Sequence, residues 1–73
     1  MTKEEFKKIV GYEIYNRRLN KGWSQAVLAD FALTSTASIN LYENRGGIPS
    51  ALVLCNIAEA LECTVNDLLG VGD

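Results

Sequence analysis

Histidine is absent from this sequence, proline and tryptophan occur once each, and the only cysteines are Cys55 and Cys63. Without histidine, neither the general-base chemistry that imidazole most often supplies nor a mixed cysteine–histidine metal site can be assembled. No closely spaced pair of carboxylates shares a face and no glycine-rich loop follows a strand, so no enzyme, metal or cofactor is expected. The two cysteines read as reduced thiols packed like small hydrophobes. Long apolar runs are missing too. Ala51 to Cys55 is among the longest, and nothing approaches the ~20 apolar residues that span a bilayer. Met1-Thr2-Lys3-Glu4-Glu5 is too acidic and too interrupted for a signal peptide, so a cytoplasmic protein without a membrane partner is the default expectation.

Positive charge is scarce. Lysine and arginine number 7 against 9 acidic residues, for a net charge of −2 and a pI near 5.0. Bulk charge therefore does not mark a nucleic-acid binder, but placement counts for more than the sum. Lys3, Lys7, Lys8, Arg17, Arg18 and Lys21 all come early, only Arg45 comes later, and no cation lies between Gly22 and Asn44. A chain of 73 residues makes one domain at most, here 1–73 with a core over about 6–69, and buries only ~60% of its unfolded surface. With 48% apolar and 22% charged residues it has the composition of a folded domain.

The periodicity is helical throughout. Thr2-x-x-Glu5 is a capping box, and Phe6, Ile9, Val10 and Ile14 recur on one face of a helix from about Lys3 to Asn20, which Lys21-Gly22 ends. Trp23 is expected to anchor the connection. Ser24 caps a short second helix carrying Val27, Leu28, Phe31 and Ala32 and ending near Leu33. Thr34 and Ser35 offer the next cap, before a third helix with Ile39 and Tyr42 that ends near Asn44. Arg45-Gly46-Gly47-Ile48-Pro49 is a loop. Ser50 opens a fourth helix with Leu52, Leu54, Ile57, Ala58 and Leu61 as its buried set, and Thr64-x-x-Asp67 opens a fifth that Gly70 closes. No strand alternation and no internal repeat is evident.

Between Gln25 and Asn44, two short helices are joined by a turn tight enough to force close packing. A small side chain is then needed at the crossing, and Ala29 supplies it. Leu28, Ala32, Ile39 and Tyr42 can seal the pair onto the core. Thr36, Ala37, Ser38, Asn40 and Leu41 are left on the other side, a small and mostly polar face.

Arg18, Lys21-Gly22-Trp23-Ser24-Gln25, Leu28-Ala29, Ser38-Ile39, Tyr42-Glu43-Asn44, Pro49-Ser50, Leu54, Ile57-Ala58, Ala60-Leu61 and Val65 to Leu69 stand in one register. In that register the chain resembles the Cro and repressor helix-turn-helix family, also called the xenobiotic-response-element type, from about Val10 to Leu69. The resemblance implies an all-α, five-helix, lambda-repressor-like domain that binds double-stranded DNA as a homodimer and regulates transcription, usually as a repressor, with its third helix in the major groove. It implies that Gln25 opens the second helix beside a phosphate or base edge and that Thr36, Ala37, Ser38, Asn40 and Leu41 face the groove. Arg18 and Glu43 become a partly buried pair, with Arg18 also near a phosphate. Helix capping by Ser24 and Gln25, and a purely structural Arg18–Glu43 pair, are the plainer alternatives.

Two positions that are usually glycine in this family are Leu33 and Arg45, and Gly46-Gly47-Ile48 stand where relatives often carry basic residues. With no cation on the third helix, reading must rely on Asn40 to adenine, on hydroxyls, on methyl contacts from Ala37 or Thr36, or on DNA shape, with Lys21, Arg18 and Arg45 adding attraction to phosphates. The rival reading is a protein-interaction module or antitoxin on a degenerate scaffold, favoured by the acidic pI and by Leu41 if exposed. There is no room for a small-molecule domain. Leu61, Val65 and Leu68 look too apolar for a monomer to hide, which favours a dimer.

Overall fold

Every helix of the computed structural model, which describes residues 1–71, begins at a hydroxyl. Thr2, Ser24, Ser35, Ser50 and Thr64 have extended backbone, and each side chain accepts an N–H from three residues on, satisfying a donor that the first helical turn cannot. The helices are α1 (Lys3–Asn20), α2 (Gln25–Phe31), α3 (Thr36–Asn44), α4 (Ala51–Ala60) and α5 (Val65–Leu69). Thr2 with Glu5, and Thr64 with Asp67, close full capping boxes in which the carboxylate also accepts the N-cap N–H. Those hydrogen bonds hold the Glu5 and Asp67 carboxyls below their ordinary values.

One cluster of buried side chains joins all five helices: Val10 and Ile14 of α1, Leu28 and Ala29 of α2 with Ala32 at its C-cap, Ile39 and Tyr42 of α3, Leu54, Ile57 and Ala58 of α4 with Leu61 at its C-cap, and Leu68 of α5. Trp23 and Phe6 pack against it from the side. α1 meets α3 so closely at Gly11 that an added Cβ would lie 2.6 Å from the Tyr42 carbonyl oxygen. No side chain fits there, which brings the middle of α1 onto the last turns of α3.

Several sequence-based expectations need correction. α2 stops at Phe31, two residues before Leu33, with Ala32 at its C-cap. Phe31 and Leu52, both expected inside, are 61% and 70% exposed. Leu54, Ile57, Ala58 and Leu61 follow the i, i+3, i+4, i+7 stripe, and Leu52 lies two residues before it, about 200° around the helix. Cys55, next to Leu54, is exposed for the same reason and is no core hydrophobe, while Cys63 is half-buried; burial pushes the Cys63 thiol up. Leu61 and Leu68 lie in the monomer's own core, so their apolar character is no reason to expect a partner subunit. Among the described residues no helix is long and apolar enough to cross a membrane.

Candidate functional site

Two left-handed residues shape the α2–α3 connection and the loop after α3. Leu33 takes the left-handed conformation itself, at φ 58°, where an L residue bears roughly 1–2 kcal/mol of strain. Arg45 does not: its φ is −125°, and Gly46 supplies the left-handed turn one position later, at φ 68°. The Gly47 N–H then returns to the Leu41 carbonyl at 3.0 Å. An added Cβ at Gly47 would overlap the Leu41 side chain, so the loop is folded against that edge of α3.

Arg18 lies at the centre of the arrangement. Its Nε and one terminal nitrogen donate to the two Glu43 carboxylate oxygens at 2.8 and 2.9 Å, and the other terminal nitrogen donates to the Trp23 carbonyl at 2.7 Å. The Arg18 side chain is 8% exposed and that of Glu43 not at all. The planar fork of guanidinium on carboxylate is the geometry in which a desolvated ion pair is best compensated, and those hydrogen bonds raise the Arg18 pKa above its ordinary value. The Tyr15 ring adds a face 5.4 Å from the guanidinium carbon.

From this pair a relay runs outward. Gln25 Nε2 donates to Glu43 at 3.1 Å, which fixes which end of its amide faces inward, and the Gln25 carbonyl oxygen accepts from Asn40 Nδ2 at 3.4 Å. The buried charge pair therefore orients two amides at the surface. Asn40 keeps its carbonyl oxygen and its second amide hydrogen for a ligand, the donor and acceptor set that an adenine edge complements. Thr36, Ala37 and Leu41 are exposed and Ser38 is half-buried on the same helix, with the Ser38 and Ser35 hydroxyls 2.9 Å apart.

Arg17 is paired with Glu13 along α1 and Lys3 lies in its first turn; the other five cations divide into three groups. Arg18 is enclosed as described. Lys21 is drawn to the α4–α5 turn, where it pairs with Glu62 and lies 5.1 Å from the Trp23 ring centre. Arg45 is exposed at the end of α3 and shares with Lys7 and Lys8 an open groove of about 640 Å³ that Tyr12 and Tyr15 also line. The sequence groups the lysines near the N-terminus but does not reveal that α1 carries them to the C-terminal end of α3. The signal for that is Gly11, whose missing side chain sets the α1–α3 approach. Among the described residues Lys8 and Arg45 are in no ion pair, and Lys7 reaches only exposed Glu4 at 3.6 Å.

Comparison with known proteins finds the same architecture. Residues 14–68 match the family model described as helix-turn-helix. The competence pilus inhibition repressor of Acinetobacter baylyi is 34% identical over 59 residues, covering 81% of this chain and 54% of the relative, so the chain spans about half of that protein's length. A hypothetical transcription factor, NHTF from Neisseria, has a crystal structure that superposes with a TM-score of 0.84 at 23% identity, over 94% of this chain and 79% of that one.

Proposed function

The chain belongs to the helix-turn-helix family of the Cro and repressor type, and we propose that it is a sequence-specific DNA-binding regulator of transcription, a repressor, that sets α3 in the major groove. The observation that carries this reading is the relay from Arg18 through Glu43 and Gln25 to Asn40. A purely structural ion pair has no need to orient two surface amides, whereas a base reader needs its donors and acceptors held before the duplex arrives. Asn40, Gln25, Thr36 and Ser38 read base edges and nearby phosphates, and Ala37 and Leu41 offer apolar contacts to thymine methyls.

Sequence-independent attraction falls mainly to Arg45, with Lys7 and Lys8 beside it, because Arg18 and Lys21 already face carboxylates. Few counterions are then released on binding, and affinity falls only shallowly with salt. Pairing of two copies on half-sites about one helical turn apart supplies the recognition length that one small domain lacks. The interaction-module reading leans on Leu41. Its side chain is exposed, as that reading requires, at 42%, but it stands beside Gly47 at the edge of α3 with no aromatic anchor next to it on that helix face.

Selection of duplexes from a random pool at low salt tests the proposal. Enrichment of a two-fold symmetric sequence, bound by a dimer in sedimentation, is the expected result. No enrichment after repeated rounds contradicts it, and an asymmetric site bound by a monomer contradicts the pairing.

A further inference from the structure

A second cleft, of about 370 Å³, lies between the end of α2 and the α4–α5 turn, lined by Trp23, Phe31, Leu33, Asn56, Glu59, Ala60 and Glu62. Among the described residues only Leu33 and Glu62 are non-glycine residues with positive φ, at 58° and 56°, and both line this cleft. Glycine would relieve the strain at either position. Leu33 adds a second cost, since its side chain is 81% exposed and contributes nothing to the core. Phe31 stands beside it, stacked on Trp23 with ring centres 4.8 Å apart. The left-handed backbone ends each helix, but it does not require an exposed leucine there, and Leu33 beside the 61% exposed Phe31 leaves an apolar patch on one concave surface that the core does not use.

The rim identifies the partner's chemistry. Glu59 is exposed with no cation within ion-pair distance among the described residues, and Glu62 is exposed and held only by Lys21. A second copy meeting this face through a two-fold axis would set acid against acid. We propose that the cleft is a docking site for a basic peptide segment of another protein, which inserts one apolar side chain between Phe31 and Leu33 and places lysine or arginine against Glu59, the rim carboxylate with no cation of its own among the described residues. The cleft shares no lining residue with the Gln25–Asn40 relay, so one domain can hold a duplex and a protein segment together.

Trp23 is the only tryptophan and lines the cleft, so its fluorescence reports occupancy. Three synthetic nonapeptides serve as probes: lysine-rich with a central leucine, the same with serine for leucine, and the same with glutamate for lysine. Only the first is expected to saturate the signal, and Leu33→Gly or Glu59→Lys is expected to weaken it by about tenfold or more, the loss typical of an interface anchor. Glu59 lies in α4, outside the α2–α3 unit, so Glu59→Lys keeps the preference for the selected over a scrambled duplex, and failure here is distinct from failure of the DNA reading. Equal binding of the glutamate peptide, indifference to Leu33→Gly, no binding at all, or a fluorescence change that follows only protein concentration and marks a second copy as the occupant, each overturns the proposal.

Discussion

The molecule contains the helix–turn–helix geometry twice, as α2–α3 and as α4–α5. Buried Ala29 and Ala58 each accept an N–H from the residue before the next N-cap, Thr34 at 3.0 Å and Cys63 at 2.9 Å. Ala32 and Leu61 form near-identical C-caps, Leu33 and Glu62 turn left-handed, Ser35 and Thr64 cap the following helix, and Ile39 and Leu68 plug the core. No sequence repeat underlies this. Only the pattern of small, apolar and hydroxyl residues is shared. The units differ in what faces outward. The first carries the amide relay and the uncharged start of α3, its one buried acid neutralised by Arg18; the second carries Glu59, Glu62 and Asp67 with no lysine or arginine of its own. Local geometry makes a helix–turn–helix, but charge and orientation decide which one can face a polyanion.

Removing the pair that distinguishes the first unit has the largest expected effect. Arg18→Met strands the enclosed Glu43 carboxylate and is expected to lower stability by about 3–5 kcal/mol in urea unfolding. A double-mutant cycle with Glu43→Gln should return a clearly non-zero coupling, and a coupling near zero would make the pair incidental. Gly11→Ala comes next. Its Cβ would press on the Tyr42 carbonyl oxygen and move α1 from α3 at a cost of about 1–3 kcal/mol, weakening the first unit while the α4–α5 turn keeps its hydrogen-exchange protection.

The second unit has its own dependence on pH. The folded Asp67 pKa is depressed by its hydrogen bonds to Thr64, so its contribution is present above the unfolded value and is lost as pH falls through the folded one. Thr64→Ala is expected to cost about 1 kcal/mol at neutral pH and to flatten the acid limb of the stability curve; an unchanged acid limb would show that the box does not hold. Smallest of all, Leu33→Gly and Glu62→Gly each relieve a left-handed residue and should raise stability slightly and similarly in thermal unfolding, by about 1 kcal/mol or less after the unfolded-state entropy of glycine. Opposite signs would break the equivalence of the turns.

Much of the fold is legible in the sequence itself. Hydroxyl caps, glycine stops and the core stripe of each helix follow from local chemistry, and α1 runs over Lys3–Asn20 as its capping box and glycine stop imply. Phe31 and Leu52 read as core by periodicity yet lie outside, because helices this short bury only a narrow stripe and an apolar residue just off it is left in solvent. The resemblance brings Arg18 and Glu43 forward as a pair, and Gln25 and Asn40 singly. Their chain of hydrogen bonds, and the meeting of Lys7 and Lys8 with Arg45, depend on how α1 crosses α3, which spacing along the chain does not encode.

Matched substitutions in the two units test the central claim most directly: anisotropy titrations of Asn40→Ala and Asn66→Ala on the selected duplex and on a scrambled one. Asn40→Ala is predicted to cost about 1–3 kcal/mol on the selected duplex, with relaxed preference at one base pair and little change on the scrambled sequence, while Asn66→Ala leaves both affinities as they were. Equal losses for the two variants, or an Asn40→Ala protein that still binds and discriminates like the parent, would contradict the assignment of DNA reading to the α2–α3 unit.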